Sequence, residues 1–137
     1  MTKDIWINLP VKDINKSKEF FTKIGFEHKP GPGNSDVSIA FLIGTKKVAL
    51  MLFAEAAFKN FTRNDVPDTK QLTEVLFSFD AESREEVDEL AKKVKEAGGT
   101  LYGEPGENQG WMYGCGFCDL DGHRWNVLYM DMSKMPK

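Results

Sequence analysis

From residue 4 to residue 11 the chain alternates. Ile5, Ile7 and Leu9 share one side, and Trp6, Asn8 and Pro10 share the other. A period of two predicts a strand, because successive side chains of an extended backbone point to opposite faces. The period then changes. Phe20, Phe21 and Ile24 recur at helical spacing behind Asp13 or Asn15, either of which suits a cap, and Gly25 supplies a left-handed stop. A short strand is expected at residues 26–29, followed by a turn at Gly31-Pro32-Gly33-Asn34. Residues 36–43 and 46–53 are rich in strand formers and meet at a tight turn, Gly44-Thr45.

The same order then returns. Residues 72–79 alternate, with Val75, Phe77 and Phe79 on one face. Ser83-x-x-Glu86 forms a capping box ahead of a helical stripe of Val87, Leu90, Ala91 and Val94. Gly98-Gly99 ends that helix, residues 100–102 begin a strand, and residues 103–110 read as a glycine-rich loop. Residues 111–119 and 123–130 then pair across Asp121-Gly122, a strong hairpin signal. The pattern predicts an α+β fold of two β-α-β-β-β modules, residues 1–62 and 72–137, in a curved, mixed, eight-stranded sheet. Residues 63–71, polar and containing Pro67, form the linker between modules. Phe58 and Phe61 sit one helical turn apart, where they would cover a core edge or a pocket mouth.

Several strands are apolar on both faces: Leu50 and Leu52 back onto Met51 and Phe53, and Trp125 and Val127 back onto Leu128. Helices on one side of a sheet require only one apolar face. The second face is therefore expected to line a cup or meet another subunit.

Composition narrows the function. At 137 residues, one domain with a real core is possible without staples. The net charge is -3, and Lys92, Lys93 and Lys95 are interleaved with Glu89 and Glu96 as on a solvated helix face. Nucleic acid binding, which needs clustered cations, is disfavoured. The longest apolar run, residues 48–54, is too short for a bilayer span, and no signal-peptide core opens the chain. No membrane partner is expected, and a cytoplasmic location is.

Two motifs carry a resemblance. Pro10-Val11-x-Asp13-x-x-x-Ser17-x-x-Phe20-Phe21-x-x-Ile24-Gly25-Phe26 resembles the opening of vicinal oxygen chelate proteins, and Asp119-Leu120-Asp121-Gly122-His123-x-Trp125 is similar to their closing hairpin. That superfamily includes glyoxalase I, extradiol dioxygenases and the bleomycin and fosfomycin resistance proteins. The resemblance implies the glyoxalase/bleomycin resistance-like fold and, commonly, a homodimer. In metal-dependent members four strand positions supply His or Glu ligands, and motif spacing puts these on Trp6, Met51, Glu74 and Asn126. An indole has no lone pair to give, a thioether is soft, and an amide carbonyl is weak and neutral. Glu74 alone suits a hard cation. No metal and no other cofactor is therefore expected.

This leaves a metal-free fold that binds a small aromatic or amphiphilic ligand as the leading expectation. The candidate ligand-binding residues are Trp6, Asn8, Met51, Glu74, Trp111, Tyr113 and Asn126. The aromatic groups would stack and the amides would orient the ligand through hydrogen bonds. Two enzymatic readings stand beside it: a metal-dependent lyase or extradiol dioxygenase with other ligands, and a metal-free enzyme with Glu74 as general base. The second needs Glu74 desolvated in an apolar surrounding so that its pKa rises. Cys115-Gly116-Phe117-Cys118 has the spacing of a redox motif but lies in an expected strand. There, residues three apart point to opposite faces about 10 Å apart, beyond the roughly 7 Å a disulfide spans. Both thiols are expected to be structural.

Overall fold

The computed structural model describes residues 1–136, and the chain divides into two compact units, Met1–Asp68 and Thr69–Lys137. The first contains β1 (Trp6–Val11), α1 (Ile14–Lys23), β2 (Glu27–His28), β3 (Ser38–Ile43), β4 (Val48–Ala54) and α2 (Glu55–Thr62). Its sheet runs β1-β4-β3-β2, with β1 parallel to β4 and the remaining pairs antiparallel. Of the two possible caps, Asp13 is used. Its Oδ1 accepts the Lys16 N–H at 3.0 Å, and Gly25 follows the helix at φ +107°. The α1 side of the sheet carries Leu9, Val11, Phe41, Leu50 and Leu52, all buried with Phe20 and Phe21 of the helix. Phe21 stacks on Phe26 at 5.5 Å and tilts against Phe41 at 5.9 Å. Each such side chain removed from water contributes roughly 1.5–3 kcal/mol, so this face is the unit's main source of stability.

The second unit contains β5 (Leu76–Asp80), α3 (Arg84–Glu96), β6 (Thr100–Asn108), β7 (Met112–Cys118) and β8 (Arg124–Met130). Its sheet runs β5-β8-β7-β6, with β5 parallel to β8. All eight strands expected from the sequence are present, four in each of two mixed sheets. The cap forms with its return bond displaced by one residue: Ser83 Oγ accepts the Glu86 N–H at 3.1 Å, and Glu86 Oε2 accepts the N–H of Glu82, just ahead of the cap, at 2.9 Å. Val87, Leu90, Ala91 and Val94 are buried, as are Phe117, Trp125 and Val127 of the sheet. Trp125 lies parallel to Phe117 with centroids 6.2 Å apart, and Phe77 lies 4.9 Å from it.

The β7–β8 hairpin is pinned by a buried acid. Asp119 Oδ1 accepts the N–H groups of Asp121 and His123, each at 3.0 Å, and Oδ2 accepts the Trp125 indole N–H at 3.1 Å. Burial pushes this carboxyl up, while His123 and the Trp125 hydrogen bond oppose that rise. Gly122 is left-handed at φ +88°. A Cβ there would come within 2.7 Å of the Lys70 Cα, so residues 69–70 lie directly against the turn. Thr69 Oγ1 completes the attachment by donating to the Asp121 carbonyl.

Two boundaries differ from expectation. The strand expected at 72–79 begins only at Leu76, whose ladder partner is Arg124, the first residue of β8. Residues 119–123 ahead of Arg124 belong to the pinned turn, so residues 72–75 have no strand to pair with. The glycine-rich stretch from residue 103 is not a loop either. It continues β6 as far as Asn108, with Gly103 opposite Gly116 and Gly106 opposite Gly114. These glycines punctuate nothing; they face one another across a ladder.

Candidate functional site

In the first unit the register turns Trp6, Asn8, Ala49, Met51 and Phe53 away from α1, since their neighbours Leu50 and Leu52 are the residues buried beneath it. Asn8 pairs with Met51, and Met51 with Ala40. Trp6 and Asn8 are exposed, while Met51 and Phe53 are half-buried. A loop covers part of this open face. A Cβ at Gly33 would come 3.0 Å from the Ala40 Cβ and 3.3 Å from the Met51 Cε, so the loop backbone rests on both. Asn34 holds the loop down. Its Nδ2 donates to the carbonyls of Lys29 and Gly31, and its Oδ1 accepts the Ala40 N–H at 3.1 Å. Because that oxygen is an acceptor, His28 Nε2, 3.0 Å away, carries the proton it donates. Phe61 of α2 meets Phe53 edge-on at 5.0 Å and remains exposed, as a residue at the margin of an apolar face.

In the second unit Leu76, Ser78 and Asp80 alternate outward from Phe77 and Phe79. They pair in turn with Arg124, Asn126 and Leu128. Gly114, Gly116 and Cys118 of β7 complete the three rows. Among the described residues the buried Asn126 Oδ1 meets no hydrogen-bond donor, and the buried Trp111 Nε1–H meets no acceptor.

Tyr113 is placed differently from expectation. It belongs to the face turned to α3, where its hydroxyl donates to Asp88 Oδ1 at 2.7 Å and the Arg84 guanidinium lies 5.0 Å from its ring centroid. The Asp88 hydrogen bond pushes its phenol up. Tyr113 thus ties β7 to α3, because its odd position follows Cys115 and Phe117 onto the helix side.

Glu74 is also placed differently. It is exposed and lies two residues ahead of β5, so the second unit gives it neither a strand position nor the desolvation a general base requires. The two ladders begin alike: Trp6 opens β1–β4 two residues before the Asn8–Met51 pair, and Leu76 opens β5–β8 two residues before Ser78–Asn126. By this repeat, Leu76 stands where the motif spacing suggested Glu74. The side chains at the four strand positions are then an indole, a thioether, an alkyl group and an amide. Among the described residues no three His, Cys, Asp or Glu side chains group as a metal-binding set. This donor set does not fit a hard divalent ion, which needs carboxylates or imidazoles.

The thiols lie as the strand reading required. Cys115 is buried on the α3 side, and Cys118 shares the open face with Gly116 and Arg124. Burial pushes Cys115 up to about 11 and Cys118 also upward, the opposite of an activated thiol.

One pair on the open face of the second unit escaped the sequence reading. Tyr102 Oη donates to the Trp125 carbonyl at 3.1 Å, and the Arg124 guanidinium carbon lies 4.4 Å from the Tyr102 ring centroid. Arg124 was legible in principle, since it shares parity with Asn126. Tyr102 was not, because a register irregularity between Leu101 and Gly103 sets its position.

Comparison with known proteins accords with this architecture. The profile of the Glyoxalase/Bleomycin resistance protein/Dioxygenase superfamily matches residues 5–127. A hypothetical protein from S. aureus, SA1046, is 36% identical, with 94% of this chain and 95% of that one covered at a TM-score of 0.83. A family enzyme from Burkholderia phytofirmans is similar at 20% identity, TM-score 0.77, over 91% and 96% of the two chains. The fosfomycin resistance protein FosX from Listeria monocytogenes, in a complex with Mn(II) and sulfate, shares the fold at 22% identity and TM-score 0.68, over 98% and 94%. Comparison with curated proteins gives no match. With the family profile spanning nearly the whole chain, this protein belongs to the glyoxalase/bleomycin resistance protein/dioxygenase superfamily.

Proposed function

We propose that this chain is a metal-independent small-molecule binder of the resistance-protein type, taking an aromatic or amphiphilic ligand on its open sheet faces. The observation that supports this reading most directly is the side chemistry of those faces. Trp6, Met51 and Phe53 give the first sheet an apolar, polarisable surface beside the amide of Asn8. The second offers Leu76 and Leu128 around Ser78 and Asn126. Such surfaces bind planar or greasy molecules and orient them by a few hydrogen bonds. We include homodimer formation in the proposal, because apolar side chains are exposed at the outer strands β1 and β5.

Two measurements test the reading together. Elemental analysis of the purified protein is expected to find no stoichiometric zinc, nickel, manganese or iron. A thermal-shift screen against aromatic antibiotics, thiol conjugates and small diols is expected to raise the melting temperature with an aromatic member, since a ligand specific for the folded state stabilises it. An equimolar ion that resists mild chelation, or a screen in which only diols bind, would reverse the conclusion.

A further inference from the structure

The open face of the second unit carries a positive charge whose placement is specific. Tyr102 lies over Gly116: a Cβ on that residue would come 2.5 Å from the Tyr102 Cε1 and 2.8 Å from its hydroxyl oxygen, so only glycine admits the ring. The β6 irregularity brings Tyr102 there, and the Trp125 carbonyl fixes its hydroxyl. The ring then forms a platform on which the Arg124 guanidinium rests at 4.4 Å from the centroid. A stacked guanidinium keeps its edge N–H groups free to donate in plane. Among the described residues no carboxylate forms an ion pair with Arg124. Arg124 is half-buried, and one row along the same face lie the Ser78 hydroxyl and the buried, unpaired Oδ1 of Asn126.

We infer that Arg124 is a specificity residue that recognises a carboxylate on the ligand, with Asn126 Oδ1 accepting a hydrogen bond from a neighbouring hydroxyl or N–H of the same molecule. The inference rests on the small-molecule reading above and narrows its ligand class to aromatic carboxylic acids. A planar carboxylate matches the guanidinium edge with two parallel hydrogen bonds. The face is also polar in one direction. Asp80, on the row of Leu128, lies four residue pairs along the ladder from Arg124, a separation of about 13 Å along the strand. An anion is therefore attracted at the Leu76–Arg124–Cys118 row and repelled at the other end.

Matched pairs differing only in the acid group test this: benzoate with benzyl alcohol, and naphthoate with naphthalenemethanol, titrated calorimetrically against the intact protein. The acid of at least one pair is expected to bind about tenfold or more tightly than its alcohol. Arg124→Gln is expected to abolish that preference while leaving the alcohol within about twofold. Arg124→Lys should keep a reduced preference, and both variants should melt as wild type does, which separates lost recognition from lost folding. Alcohols that bind as tightly as acids, or a preference that survives Arg124→Gln in a folded protein, overturn the inference and leave the small-molecule reading standing. If no member of either pair binds, the inference fails, and the small-molecule reading then rests on the broader thermal-shift screen alone.

Discussion

Cys115 and Cys118 stand three residues apart on one strand and live in different surroundings. Cys115 is 6% exposed on the face that also carries Phe117, Trp125 and Val127. Ionising a thiol there removes a charge from water, and Asp88 and Glu104 add repulsion, which together push the group up to about 11 from an ordinary 9.0. A proton held more tightly in the folded chain than in the unfolded one stabilises the fold until that proton is lost. Between pH 9.0 and about 11 the unfolded thiol has ionised and the folded one has not, so stability falls as pH rises across that window. The full effect is on the order of 3 kcal/mol. Cys115→Ala, which removes the ionisation without adding bulk, is expected to flatten the decline of melting temperature between pH about 8 and about 10.5 relative to wild type. Identical slopes would mean the Cys115 thiol ionises in the folded state as readily as in water.

At the scale of elements, the sheet of the second unit depends on where β6 is irregular. Tyr102 and Gly103 share one stretch of β7, because the register shifts between Leu101 and Gly103, and the Tyr102 ring drops onto Gly116. Gly116→Ala is expected to destabilise by about 1–3 kcal/mol, since the added methyl meets the ring and the ring is fixed at its hydroxyl. In a Tyr102→Ala background the same change should cost far less, a coupling that a double-mutant cycle in urea measures directly. Additive effects would show that backbone geometry at residue 116, not the tyrosine, demands glycine. This element also marks the limit of sequence reading. Period-two patterns located the strands because burial on one face enforces parity, as with Leu50 and Leu52 against Met51 and Phe53. Glycines at 103, 106 and 110 suggested a loop because nothing in a single strand reveals that Gly103 and Gly106 face Gly116 and Gly114 across a ladder.

The halves of the whole molecule were legible because each repeats strand, helix, glycine stop and hairpin, and the Asp119 turn announced itself in its residues. The candidate site was legible only in part. Trp6, Asn8, Met51 and Asn126 occupy open sheet faces as parity required, whereas Glu74 depended on how far β5 extends, which the Asp119 turn in another strand decides. That dependence on distant pairing also shapes the edges of the two sheets. β1 and β5 are each one of the two outer strands of their own sheet, and the apolar residues leading into them are exposed: Ile5 at 79%, Leu72 at 68% and Val75 at 49%. Apolar side chains exposed beside an outer strand favour association over solvation. The proposed homodimer uses these edges. Sedimentation velocity is expected to show a species of twice the chain mass at micromolar concentrations. Ile5→Lys with Val75→Lys should shift it towards the single chain, because two like-charged pairs then oppose contact. Neither residue is buried in the chain, so far-UV dichroism should be unchanged. A wild-type protein that sediments as a single chain throughout that range would assign the exposed edges another occupant.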